Sequence, residues 1–193
     1  MALMSVALAA QAQDCCKGDN PYKRYTQDLP FVMDEVKAPV IPDYSVNLKD
    51  FGGKGDGVTL CSDAFAKAID ALSSRGGGHL IVPSGVWFTG PIVLKSNIDL
   101  HLEMGAVIQF SADESLYSVI KTSFEGLDTR RCQSPLSANG AVNISITGKG
   151  VIDGNGQFWR PVKRSKVTDS QWKEVLSRPG GVERKKGYWV PNQ

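Results

Sequence analysis

Short strands wound into stacked coils, a mainly β fold of the parallel β-helix kind, are what three features of this chain predict. The first is a set of short alternating runs packed between Gly76 and Ser111: Leu80–Val82, Ile92–Leu94, Leu100–Leu102 and Val107–Phe110. Each is a short apolar run read with the two-residue period of a strand, and Pro, Gly, Ser and Asn clusters between them mark bends. The second is spacing, which leaves no room for a helix among the runs, although each is too short to stand alone. Stacking one rung on the next buries the inward aliphatics in a long narrow core. The third is composition: twenty glycines and ten prolines in 193 residues, with 41% hydrophobic and 22% charged, describe one turn-rich globular body.

The segments follow in order. Residues 1–12 read as a secretory signal: an apolar run from Ala2 to Ala10 leads into Ala10-Gln11-Ala12, a small-x-small cleavage pattern. That run is far shorter than a membrane span requires. The basic n-region is missing, which leaves room for a start upstream of Met1. The mature protein is expected to be exported, to the periplasm or the extracellular space. Residues 13–45 form an extended leader, with Pro21, Pro30, Pro39 and Pro42 and little periodicity. Cys15, Cys16, Cys61 and Cys132 lack the CxxC or Cys/His spacing of a zinc site. Asp14 stands where lipid attachment to a following cysteine needs a small residue. In an oxidising compartment Cys61 and Cys132 are candidates to pair, but buried free thiols are the preferred reading.

Val46-Asn47-Leu48 reads as a first strand running into Asp50-Phe51-Gly52-Gly53-Lys54-Gly55-Asp56-Gly57. This turn lacks the order of a phosphate loop, so its glycines serve backbone geometry. A helix is predicted over Ser62 to Ser73, with Ser62 or Asp63 as cap and Gly76 just past its end. Phe65, Ala68, Ile69 and Leu72 share one face. Laid over the first rung, Phe65, Ile69 and Leu72 would plug the open end of the coil against water and edge pairing. After the first set of runs, Ala112 to Ser134 is polar and irregular, an excursion of the kind that walls a groove. Alternation resumes from Ala141 to Gly156. GKGVIDG within it has the wrong glycine spacing for a dinucleotide loop, and Asn143, although in a glycosylation sequon, is read as a bend asparagine bonding nearby backbone.

Charge is uneven. Residues 1–159 carry 13 Lys/Arg against 17 Asp/Glu; residues 160–193 carry nine against three, a basic patch that on most proteins is solvated surface.

The order DFGGKGDG, a helix ending in GGGHLIVPSGVWFTGPIVLKSNIDLHLEMGAVIQFS, then ITGKGVIDGNGQFW, resembles the N-terminal half of glycoside hydrolase family 28, the polygalacturonases and their relatives. Tyr117, Val119, Thr122, Glu125-Gly126 and Pro135-Leu136 fit its bacterial branch. The resemblance covers 46–159 and implies a right-handed parallel β-helix of the pectin-lyase-like kind, a pectic substrate, and inverting hydrolysis of galacturonosyl linkages with no cofactor. The implied partner is an anionic plant cell-wall polysaccharide, pectin or polygalacturonate, acted on by a monomer; no nucleic acid or membrane partner is expected.

The family carries its chemistry on Asn-Thr-Asp, Asp-Asp, Gly-His-Gly and Arg-Ile-Lys motifs of later rungs, and none of these occurs here. His79 and His101 alternate with apolar neighbours and read as outward surface residues. Inversion needs a carboxylic acid and a second carboxylate with a water between them, and no such pair is named. The expectation is a C-terminally incomplete hydrolase, inactive by itself, with 160–193 a basic loop or insert leading into missing rungs. For an anionic sugar chain, Trp159 and Trp189 (with Trp172) offer stacking faces and Arg160, Lys163, Arg164, Lys185 and Lys186 offer cations. A non-catalytic carbohydrate-binding β-helix and a pectate lyase stay open as alternatives.

Overall fold

The computed structural model describes residues 22–178 and 181–191. The proposed signal segment, Cys15 and Cys16 lie outside them. The chain divides into two units, 1–39 and 40–193. In the first, one short helix, α1 (Lys23–Thr26), is followed by extended chain.

The second unit begins with β1 (Ser45–Asn47), the glycine-rich turn and α2 (Ser62–Ser74). Then come β2 (Gly78–Val82), β3 (Gly85–Thr89) and β4 (Ile92–Leu94), the three sides of one coil. The next coil has β5 (Ile98–Leu102) and β6 (Ala106–Phe110), a hairpin of β7 (Val119–Phe124) and β8 (Leu127–Cys132), and β9 (Leu136–Ala138). β10 (Ser145–Gly148) and β11 (Val151–Asp153) start a third. Pairing runs between coils, in parallel: β1-β2-β5-β10, β3-β6-β11 and β4-β9. The fold is a right-handed parallel β-helix.

Register shows how the core is built. Val46, Leu80, Leu100 and Ile146 stand side by side in the first sheet, as do Trp87 and Ile108 in the second and Ile92 and Leu136 in the third. Leu80, Leu100, Trp87 and Ile108 are fully buried, so each inward position stacks on its equivalent one coil away. Ala64, Phe65, Ala68, Ile69 and Leu72 of α2 join the same core and close its first coil. One detail of that helix differs from expectation. Its N-cap is Cys61, with no side-chain cap; Ser62 Oγ instead accepts the Gly90 N–H at 2.8 Å, tying the helix to the turn after β3.

Two stretches are more regular than the alternation suggested. β3 was absent from the four expected runs, because its inward residues are Trp87 and Thr89 rather than aliphatics. The excursion 112–134 is largely the β7–β8 hairpin, closed by Glu125-Gly126 with φ of 53° and 80°. Two consecutive left-handed residues give the tight turn whose twist matches the strands it joins. The segment 160–193 carries β12 (Val162–Lys163), α3 (Asp169–Ser177), β13 (Gly181–Lys185) and β14 (Tyr188–Pro191), the strands pairing antiparallel as β12-β14-β13. α3 opens on a capping box, with Thr168 accepting from the Gln171 N–H and the Gln171 side chain accepting from the Thr168 N–H.

The glycine-rich turn has a packing role. A Cβ on Gly53 or Gly55 would come within 3.0 Å and 3.1 Å of the Trp87 ring. The indole lies directly under the turn and donates Nε1–H to Pro83 O at 2.7 Å. Cys61 and Cys132 are free thiols, and burial pushes the Cys61 pKa up. Asn143 sits at its bend with φ 58°, donating to Val40 O at 2.6 Å and to Asn97 Oδ1 at 2.8 Å and accepting the Val40 N–H at 2.9 Å.

Candidate functional site

The second sheet ends in a polar corner. Phe88, Gln109 and Asp153 are register partners on β3, β6 and β11, and the chain leaves each strand through Gly90, Ser111 and Gly154. Thr89 and Ser111, both buried, close the inner side; Ser111 Oγ accepts the Asp113 N–H at 3.0 Å and Ser111 O accepts the Tyr117 hydroxyl at 2.7 Å. From the next coil, Asn155, with φ 52°, donates from its amide to Phe110 O at 3.1 Å. The Tyr117 and Trp159 rings meet edge to face with centroids 5.0 Å apart, joining the excursion to the chain just after β11.

Carboxylates at this corner are engaged in turns. Asp113 Oδ1 accepts from the Ser115 N–H at 2.9 Å and hydroxyl at 2.7 Å, and these bonds hold its pKa below the usual range. Asp153 Oδ1 accepts the Asn155 N–H at 2.9 Å. Glu114 is pushed up by burial and then by the Asp113 charge, and the same two causes take Tyr117 to about 12. Asp113 and Asp153 at this corner are committed to local turn geometry.

The substrate residues expected from sequence are placed as follows. Trp159 is half-buried against Tyr117. Trp189 is 3% exposed, so its ring faces are spent on packing and offer no stacking surface. Arg164 is bonded to Asp169 and donates to Val167 O, a structural role at the start of α3. Lys163 Nζ lies 5.8 Å from the Tyr188 ring centre. Arg160, Lys185 and Lys186 are exposed. Of the set, Arg160, Lys163, Lys185 and Lys186 are exposed, and Trp159 is partly so.

A polar cluster missed in the sequence lies on the outer face of the first sheet. Asp99, outward on β5, is nonetheless 2% exposed. Ser145 Oγ donates to its Oδ1 and Thr147 Oγ1 to its Oδ2, each at 2.8 Å, and His79 Nδ1 is 2.9 Å from Oδ2. His101 Nδ1 lies 2.7 Å from Thr147 Oγ1 and 4.0 Å from Asp99 Oδ2. Since the Thr147 hydroxyl gives its proton to Asp99, it receives one from His101. The two histidines do face outward, about a third exposed, but as parts of a bonded network across three coils. Among the described residues no group of three or more His, Cys, Asp or Glu is placed to hold a metal. No helix among them is long and apolar enough to cross a membrane.

Comparison with known proteins finds polygalacturonases similar to this chain in sequence and in fold. The chain is 41% identical over 125 residues to a probable polygalacturonase of Vitis vinifera, covering 60% of this chain and 26% of that one. It is 40% identical over 119 residues to an exo-poly-alpha-D-galacturonosidase of Dickeya chrysanthemi, covering 58% and 19%. The hyperthermoactive exopolygalacturonase of Thermotoga maritima superposes with a TM-score of 0.61 at 42% identity, over 82% of this chain and 32% of that structure. No family model matches. The similarity to the polygalacturonases of glycoside hydrolase family 28 is therefore one of sequence and of fold. The chain spans about a fifth to a quarter of the length of these two curated relatives.

Proposed function

We propose that this chain forms the opening coils of an exported polysaccharide hydrolase that cleaves galacturonosyl bonds of pectin with inversion. The observation carrying the reading is the 42% identity to an exopolygalacturonase whose fold it shares over 82% of its length. The apolar start with its Ala10-Gln11-Ala12 pattern supports export. In this role α2 seals the core, and the corner formed by Ser111, Tyr117, Asn155 and Trp159 shapes one bank of the binding surface.

Catalysis is assigned elsewhere. The four motifs that the resemblance makes essential are absent from the 193 residues, and Asp113 and Asp153 are held in turns. The chain alone is then a binder without turnover. Incubation with polygalacturonate should release no reducing ends, while affinity electrophoresis should show retardation by polygalacturonate and none by a neutral glucan. Steady reducing-end release from the purified chain would refute the division of labour, ultraviolet-absorbing unsaturated products would mark a lyase, and absence of retardation would remove the pectic assignment.

A further inference from the structure

The β7–β8 hairpin contains one pairing that its own stability does not explain. Its six cross-strand pairs are Val119/Cys132, Ile120/Arg131, Lys121/Arg130, Thr122/Thr129, Ser123/Asp128 and Phe124/Leu127. Only Lys121/Arg130 sets like charges directly opposite, a placement that weakens a hairpin. Both residues are exposed, and among the described residues neither has an ion-pair partner. The two cations line an open depression with Thr122, Thr129 and Asp128.

Resting on the pectic reading above, we infer that Lys121 and Arg130 form a carboxylate-binding subsite for one galacturonate residue of the polymer. A carboxylate between the two cations relieves their repulsion, and the guanidinium fork can bind it through both oxygens. The neighbouring groups fit the rest of a sugar acid. Strand alternation puts the Ser123/Asp128 pair on the same hairpin face as Lys121 and Arg130, where the Ser123 hydroxyl and the Asp128 carboxylate can bond sugar hydroxyls and the carboxylate repels a multiply charged anion. This mixture of two cations, one carboxylate and one hydroxyl suits a monovalent acid with neighbouring hydroxyls better than a phosphate.

The test is calorimetric titration of the protein with tetragalacturonate, its methyl ester and inorganic polyphosphate. Lys121→Gln and Arg130→Gln are compared with Lys149→Gln, which removes the same charge from an exposed position on another bend. Each hairpin variant should weaken tetragalacturonate binding about fivefold, the most an exposed ion pair returns. Lys149→Gln should leave it unchanged, and the ester should bind weakly to all. Thermal midpoints of the hairpin variants should hold or rise, because a repulsive pair has been removed; a purely structural pair would lower them. Wild-type binding that both hairpin variants retain would overturn the subsite and leave the pectic reading standing. Equal losses in all three variants would reduce the effect to net charge and overturn it too. No wild-type binding to tetragalacturonate would remove both, and stronger binding of polyphosphate than of tetragalacturonate would overturn the sugar-acid assignment.

Discussion

Trp87 offers the most direct test of how the glycine-rich turn and the coil depend on each other. Its indole is fully buried, its Nε1–H reaches Pro83 O at 2.7 Å, and Gly53 and Gly55 pass over it so closely that an added methyl group would force the ring to shift. Trp87→Ala should cost about 4 kcal/mol, the middle of the range for removing a buried large aromatic. Trp87→Phe should cost about 2 to 3 kcal/mol, combining the lost benzo ring with a buried carbonyl left without its donor. Gly55→Ala should cost about 2 kcal/mol by overpacking, because its new Cβ would sit 3.1 Å from Trp87 Cε2 and 3.2 Å from Cζ2. A phenyl ring has no atom at the Cζ2 position and only an approximate counterpart of Cε2. The Gly55→Ala penalty should therefore fall by about 1 kcal/mol or more in the Trp87→Phe background, and a double-mutant cycle measures that coupling. Chemical denaturation followed by far-ultraviolet circular dichroism is the suitable assay, since the other tryptophans would confuse a fluorescence signal. Strict additivity would refute the view that glycine is required there for space above the indole.

Further outcomes follow from other contacts. Gly148→Ala should cost about 3 kcal/mol or more in denaturation, because φ is +94° and a Cβ would lie 1.9 Å from Leu102 O; Gly52→Ala, at φ +86° with nothing within 4 Å, should cost only about 1 kcal/mol. Asp99→Ala should cost about 3 kcal/mol by leaving His79, Ser145 and Thr147 without their acceptor, whereas Ser145→Ala should cost about 1 kcal/mol; equal values would contradict the network. Asp56 is held at about 2, against 3.8 unperturbed, first by the Thr59 backbone N–H, then by the Thr59 hydroxyl and the Val58 N–H. Its folded pKa is the lower one, so its contribution is complete above the unfolded value and disappears as pH falls from 3.8 towards about 2. The gap in thermal midpoint between wild type and Asp56→Asn should close over that window, and a constant gap would exclude the linkage.

The parts of this fold that were legible in the sequence are those where one physical signal acts alone. Aliphatic alternation marked β2, β4, β5 and β6, and a helical apolar face marked α2. β3 was hidden because Trp87 and Thr89 fill its inward positions, an aromatic and a hydroxyl that an aliphatic pattern passes over. The hairpin was hidden because its apolar residues do not alternate: Val119 and Ile120 are adjacent, and Lys121 to Ser123 and Asp128 to Arg131 are polar, although Glu125-Gly126 is a turn signal. α3 carried a readable capping box in Thr168 and Gln171 within a segment whose charge drew attention first. At the site, Trp159 and the exposed cations were visible as residue types, but Trp189 was claimed by packing and Arg164 by Asp169. Asp99 could not have been found: an outward aspartate looks solvated until His79, 20 residues before it, and Ser145 and Thr147, 46 and 48 after it, fold over its carboxylate.

Leu80 and Leu100 are 20 positions apart and Leu100 and Ile146 are 46 apart, yet all three occupy one row of the same sheet. Decoration at the corners is thus uncoupled from the repeat that bears the load. A descendant can lengthen, trim or exchange what projects from a bend while the scaffold keeps its pitch, so new tastes in substrate can arise without renegotiating the interior.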